Sequence, residues 1–366
     1  MGRPNINIAF QKAATTGIQQ GTNGIICVPF INQAFTTSQA TVKHRITLAS
    51  DIDALPGTYT YKASTDIKAL LKEIWKGGVK EIVVLVFDKL KTKSAIMTEL
   101  QNHNFDFMYA DCLIIDTPAS TTDIIAGTKD LNDTLGKMIF TIGQGIAGDH
   151  ESILNIDTAL LNATNGSGAM IKENLTARIS GEIAGLPLNL APTFRVLSDL
   201  VDCTNFSGTT IDTAIDEGKI TLINDGSKVK IARGVTSLVT LGTKPTGFKK
   251  IKVARIYYKV KREIMQTIND YYVGKVDNSY MDKLNLITAI QGYFETLESL
   301  KLLDKGKNSI DINVTNQRNY LIAQGTNVTA MTEQEIREAN TDDKVFLIGK
   351  CKALDSMEDF EIIFNI

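Results

Sequence analysis

TEQEIREANTDDKVFLIGKCKALDSMEDFEIIFNI, residues 332–366, decides how the rest of the chain is read. Its last part is apolar at every second position, Phe360, Ile362, Phe364 and Ile366, with Glu361 and Asn365 in two of the places between. A period of two marks a strand, and this one is predicted to have no partner behind it. The first residues repeat the pattern, with Ile6, Ile8 and Phe10 set against Asn5, Asn7 and Ala9. An unpaired apolar edge is a liability that soluble proteins hide. Both end segments are therefore expected to be given away, to the chain's own core or to a neighbour.

The 366 residues fit two or three domains, and 43% hydrophobic with 22% charged residues is a globular composition. A net charge of −2 argues against nucleic-acid binding through overall charge. Cys27, Cys112, Cys203 and Cys351 lie far apart with no C-x-x-C, which reads as reduced, buried thiols and not as a disulfide framework or zinc site. MGRPNINIAF lacks the apolar stretch of a signal peptide, and Ile6 stands where a myristoylation signal wants Ser or Thr. No apolar run approaches the about 18 residues of a membrane helix. The expectation is a soluble chain, intracellular when made.

Between the end segments, strand and helix patterns alternate from Gly24 to about Asn165. GIICVPFI reads as a strand. DIKALLKEIWKG reads as a helix with Ile67, Leu70, Leu71 and Ile74 on one face, closed by Gly77-Gly78. EIVVLVF is a continuous apolar strand of the kind buried on both faces. SAIMTELQNHN, FDFMYAD, TTDIIAGTKDLNDTLGK and MIFTI continue as helix, strand, helix, strand, so a small α/β domain with a largely parallel sheet is expected. NATNGSG at 162–168 breaks the pattern before a helical stretch that Leu186-Pro187 and Ala191-Pro192 interrupt. A hairpin is predicted around Asp225-Gly226, then long helices at about 250–273 and 279–302, then strand, helix, helix, strand, strand.

Chemical motifs are few. Gly143-Gln144-Gly145-Ile146-Ala147-Gly148 matches the G-x-G-x-x-G fingerprint after a strand. A pyrophosphate site needs a helix opening next, whereas Asp149-His150-Glu151 and the strand-like SILNI follow, and no acid stands about twenty residues on. The glycines therefore read as a strand exit, with a dinucleotide-binding α/β enzyme as the alternative. His44, His103 and His150 are not at ligand spacing, and read as surface or loop histidines. Asp216-Glu217 and Glu358-Asp359 read as solvated pairs at turns. There is no G-x-S-x-G and no P-loop. No catalytic constellation, cofactor site or metal site is expected.

One charge pattern stands out. KKIKVARIYYKVKR, residues 249–262, carries seven cations and no acid. At about 3.6 residues per turn, Lys252, Arg255, Lys259 and Arg262 share one helix face, and Val253, Ile256, Tyr257, Val260, Ile264 and Ile268 share the other. A single-sign face turned outward on a slightly acidic protein points to an acidic partner.

The order of these segments resembles contractile phage tail sheath proteins of Gram-positive myophages and phage-tail-like bacteriocins. The resemblance rests on the opening MGRPNINIAFQKAATTGIQQG, TARISGEIAGLPLNLAPTFRVL, GKITLINDGSKVKIARGVTSL, INDYYVGKVDNSY, QRNYLIAQGTNVTAMTEQEIREANT and the closing strands. It implies an α+β C-terminal sheath core completed by terminal arm strands, with an inserted α/β outer domain. The expected division is an N-terminal arm at 1–21, a variable outer domain at 22–165, a conserved core at 166–355 and a C-terminal arm at 356–366. It further implies a non-enzymatic structural subunit that forms six-fold rings stacked helically around an inner tube protein, with baseplate and tail terminator proteins as further partners. Neither nucleic acid, membrane nor cofactor is implied. The location would be a virion tail or a headless particle (R-type bacteriocin or secretion system) assembled in the host bacterial cytoplasm. Ile6, Ile8, Phe10, Phe360, Ile362 and Phe364 would form inter-subunit strands. Lys252, Arg255, Lys259 and Arg262 are the candidate tube-facing residues, with the helix near 315–324 and its Arg318 as a rival.

Overall fold

Glu81–Phe87, EIVVLVF, is buried at every position, as a strand covered on both faces must be. It lies inside a mixed α/β structure, a computed structural model that describes residues 18, 24–59, 67–113, 118–157, 162–203 and 208–364. The strands are β1 (Ile25–Ile31), β2 (Val42–Ile46), β3 (Glu81–Phe87), β4 (Phe107–Tyr109), β5 (Phe140–Gln144), β6 (Ile153–Ile156), β7 (Ala163–Asn165), β8 (Gly168–Ala169), β9 (Leu200–Cys203), β10 (Lys219–Ile220), β11 (Leu222–Asn224), β12 (Val229–Ile231), β13 (Ser309–Ile312) and β14 (Leu347–Lys350). The α-helices are α1 (Ala49–Asp53), α2 (Ile67–Lys76), α3 (Lys93–Leu100), α4 (Pro118–Lys129), α5 (Lys172–Gly185), α6 (Gly208–Asp216), α7 (Ile251–Tyr271), α8 (Tyr280–Ser299), α9 (Val314–Ala323) and α10 (Glu333–Glu338). The chain divides into two compact units, and the division falls inside α7, after Arg262.

The first unit holds the described residues of 21–262 together with the segment from Ala353 onward. Its main sheet has the order β10-β6-β5-β4-β1-β3-β2. Every pairing in it is parallel except that of β2 with β3. Alternation sends Ile26, Val28, Phe30, Ile82, Val84 and Val86 to one buried cluster, shared with Leu70, Ile74, Ile179 and Ile183. Cys27, Ile31, Val83, Leu85 and Phe87 enter a second cluster with Ile96, Met97 and Ile124. The predicted hairpin forms between β11 and β12, and Gly226 supplies the positive φ of 91° that its turn requires.

The expected boundary between residues 165 and 166 is not where this unit ends. Helix α5 packs on α2 through glycines. A Cβ on Gly181 would lie 2.1 Å from the Ile74 carbonyl oxygen, and one on Gly77 2.0 Å from the Gly181 carbonyl carbon. Strand β10 also pairs with β6, Ile220 opposite Ile156. The apolar cluster consequently runs from Ile26 to Tyr258, so residues 166–262 share a core with the α/β sheet and do not form a separate one.

The second unit is built from Glu263–Lys352. Tyr293 donates its hydroxyl to Glu263 Oε2 at 2.6 Å. Leu321, Val328 and Ile336 form a small core beneath α9 and α10, where Gln317 donates to the Ile336 carbonyl at 2.6 Å. Strands β13 and β14 make an antiparallel pair from Ser309↔Lys350 to Ile312↔Leu347, and this sheet holds no third described strand. Residues 356–364, expected as an arm strand for a neighbour, enter no ladder within this chain. A strand exists only where main-chain groups find a partner row, and within this chain the segment is paired with none.

Candidate assembly surfaces

The closing segment is fastened and then released. Ala353 donates its amide to the Tyr257 hydroxyl at 3.2 Å, and Lys252 Nζ donates to Ser356 Oγ at 3.0 Å. Lys250 Nζ sits 2.7 Å from Asp355 and 3.2 Å from Glu358. Glu358 is the centre of the clasp. Its side chain is only 7% exposed, accepts from Thr193 Oγ1 at 2.8 Å and from Arg233 Nε at 3.1 Å. Arg233 also reaches Asp359 at 2.7 Å. Both cations are held in their charged form: hydrogen bonds to Asp359 and Glu358 raise the Arg233 pKa, and the Lys250 pKa rises against its partial burial because Asp355 and Glu358 lie beside it. The expectation of a solvated Glu358-Asp359 pair thus holds for Asp359 alone.

Beyond the clasp the apolar residues stand in solvent. Phe360 is 72% exposed, Ile362 69%, Ile363 76% and Phe364 83%. Clustered large apolar side chains in solvent are the kind of patch that marks an interaction surface. Ile6, Ile8 and Phe10 lie outside the described residues. The β13–β14 ladder has both edges open among the described residues. The β11–β12 hairpin is less open, since Lys230 of β12 is already bridged to Val196.

The cationic face of α7 is turned inward, which overturns the expectation of an outward patch. Lys252 is 5% exposed, Arg255 4% and Lys259 5%, and Arg262 is half-buried against Asp106 at 2.6 Å. Burial lowers the Lys252 pKa, with Asp355 and Glu358 opposing the shift. Burial also takes Arg255 down to about 10, with Asp106 pulling the other way. The first half of the helix is covered on both faces because Ile251, Ala254 and Tyr258 join the main core while the closing segment lies over Lys252. Arg318, the rival, lies on α9.

The glycine fingerprint is a strand exit, as its following residues foretold. Turns, not a helix, follow Gly148. A Cβ on Gly143 would come 2.6 Å from Asp111 Oδ1, the atom that accepts the Gln144 amide at 2.7 Å. His150 is buried, bonded to Ser152 Oγ at 2.7 Å and 3.3 Å from Asp133, so it is a loop histidine but not a surface one. His44 meets the Tyr59 hydroxyl at 2.7 Å. Cys27, Cys112 and Cys203 are buried free thiols and Cys351 is half-buried. Among the described residues no cluster of His, Cys, Asp and Glu has the makings of a metal site, and no helix is long and apolar enough to cross a membrane.

Residues 243–366, the stretch holding α7, the β13–β14 ladder and the clasp, match the phage tail sheath C-terminal domain. The similarity reaches beyond that domain: the tail sheath protein of Clostridium phage phiCD119 is 26% identical over 363 residues, 99% of this chain and 98% of the phage protein. The contracted helical sheath of the anti-feeding prophage has the same fold, with a TM-score of 0.67 at 13% identity, covering 100% of this chain and 99% of that one. So does the sheath tail protein of Desulfitobacterium hafniense, with a TM-score of 0.64 at 13% identity over 84% of this chain and 94% of the other. Within the sheath domain, sequence reasoning missed the clasp. Part of the signal was present: three acids at 355, 358 and 359 precede the apolar tail, and Lys250 of the cation-rich segment pairs two of them, while Arg233, the other partner, lies outside that segment.

Proposed function

We propose that this chain is the structural subunit of a contractile tail sheath, with no catalytic role. Copies assemble as six-fold rings stacked helically around an inner tube, between baseplate and tail terminator proteins, in the bacterial cytoplasm. The N-terminal and C-terminal segments are arms, each adding a strand to a neighbouring copy. The α/β sheet faces away from the tube. Contraction is driven by interfaces gained between copies. A phage relative aligned along nearly the whole chain supports a phage tail over a headless particle.

One observation carries this reading: the chain is clamped at Glu358 and leaves Phe360, Ile362, Ile363 and Phe364 exposed directly after the clamp. A segment anchored by ion pairs around one buried carboxylate and then released is built to reach a second molecule. The open β13–β14 edge supplies main-chain donors and acceptors for such a strand. The test is electron microscopy of purified full-length protein beside chains lacking 1–18 or 358–366. Full-length protein should form tubes and both truncated chains should stay soluble and unassembled. Normal tubes from both truncations would rule out strand donation, and absence of tubes from all three under every assembly condition would rule out the sheath reading.

A further inference from the structure

Among the described residues, five that are not glycine hold a positive φ: Met138, Asp149, Phe194, Lys301 and Asp342. Four have a reason within the chain. Met138 is buried in the main core. Aspartate tolerates the left-handed region, and Lys301 follows the end of α8, where a left-handed residue commonly closes a helix. Phe194, at φ 55°, is different, because a bulky aromatic residue is an outlier there. Its backbone is fixed from both sides. The Phe194 amide donates to the Ile231 carbonyl at 2.8 Å, and the Arg195 amide donates to the Pro192 carbonyl at 3.1 Å, which puts Phe194 third in a four-residue turn. Glycine or asparagine ordinarily fills such a place. The ring adds little to this chain's own core: it is 59% exposed, and among the described residues the one charged or aromatic group it meets is Lys230, at 5.7 Å.

Its position says what the ring serves. Thr193, the residue before it, donates to Glu358 at 2.8 Å, so Phe194 stands beside the clasp. The exposed Phe360 follows Glu358 by two residues, a reach of about 7 Å of extended chain. A second copy that takes up Phe360–Phe364 must therefore lie against the clasp, where Phe194 and the 87% exposed Met357 stand in solvent. Backbone strain persists where function requires it, and aromatic anchors dominate the energy of protein interfaces. We propose that Phe194 is a contact residue between copies, its ring covered by the same second copy that receives the tail of its own chain. This rests on the reading of residues 356–366 as a donated arm.

The experiment compares the full-length protein with Phe194→Gly, Phe194→Ala, Phe194→Tyr and the chain lacking 358–366, by negative-stain microscopy of tubes and by the melting temperature of unassembled protein. Phe194→Gly removes the ring and the strain together. It should melt at or above the parent and yet need roughly tenfold more protein to form tubes. Phe194→Ala keeps the strain without the ring, so it should melt below Phe194→Gly and assemble as poorly. Phe194→Tyr should form tubes at the parent's concentration. Tubes from Phe194→Gly at that concentration overturn the proposal; if deletion of 358–366 still abolishes them, the arm reading stands without it, and if it does not, both fall. Melting of Phe194→Gly well below the parent would place the ring in the chain's own fold and also overturn the proposal.

Discussion

Replacing Phe360, Ile362 and Phe364 together by serine tests the arm with its backbone left intact. The three side chains are 72%, 69% and 83% exposed in the single chain, so about three-quarters of their burial is still to be gained. Full burial of such a side chain is worth about 1.5–3 kcal/mol, which leaves about 3–7 kcal/mol for the three on docking. The cost of ordering the backbone is common to both proteins and cancels in the comparison. Each arm contact should therefore weaken by roughly a hundredfold to a hundred-thousandfold. Sedimentation velocity with negative-stain microscopy reads assembly, and the melting temperature of unassembled protein serves as control. The triple variant should melt within a degree or two of the parent yet form no tubes at concentrations where the parent does. Unchanged assembly would refute the reasoning, and an early melt of the unassembled variant would show that the tail belongs to the chain's own core.

Other changes act on the frame that holds the arm and the sheet. Glu358→Ala removes the shared partner of Arg233, Lys250 and Thr193; since those cations are about 30% exposed, a loss of about 1–2 kcal/mol is expected. Limited proteolysis should then cut after residue 353 well before it does in the parent. Gly181→Ala places a methyl 2.1 Å from the Ile74 carbonyl oxygen, where backbone cannot yield, and should cost upwards of about 3 kcal/mol in urea unfolding. His150 gives a pH dependence: burial lowers its pKa below the ordinary 6.5, Asp133 and Glu151 opposing and Lys244 assisting. The unfolded chain then takes up the proton first, so stability should be full above about pH 6.5 and fall as pH drops below it. His150→Asn should flatten that part of the melting-temperature profile.

The local pattern settled a great deal. EIVVLVF could only be a strand buried on both faces, Asp225-Gly226 could only be a tight turn, and α7 and α8 formed within two or three residues of their periodic stretches. The apolar alternation at 360–364 marked side chains with no core of their own nearby, and Phe360, Ile362 and Phe364 stand exposed in the structure. Each of these rests on interactions among residues close in sequence, where periodicity, turn chemistry and propensity operate. What the tertiary structure alone decided depends on residues far apart. The cations of α7 read as an outward face because their own neighbours are polar by turns. Their surroundings come from the Leu186 carbonyl, Phe107, Asp106 and Ser356, none of them near in sequence. The missing boundary at 165 has the same origin: Gly77 and Gly181 are unremarkable in sequence, and only the close approach of two helices makes them the reason that residues 166–262 cannot be parted from the α/β sheet.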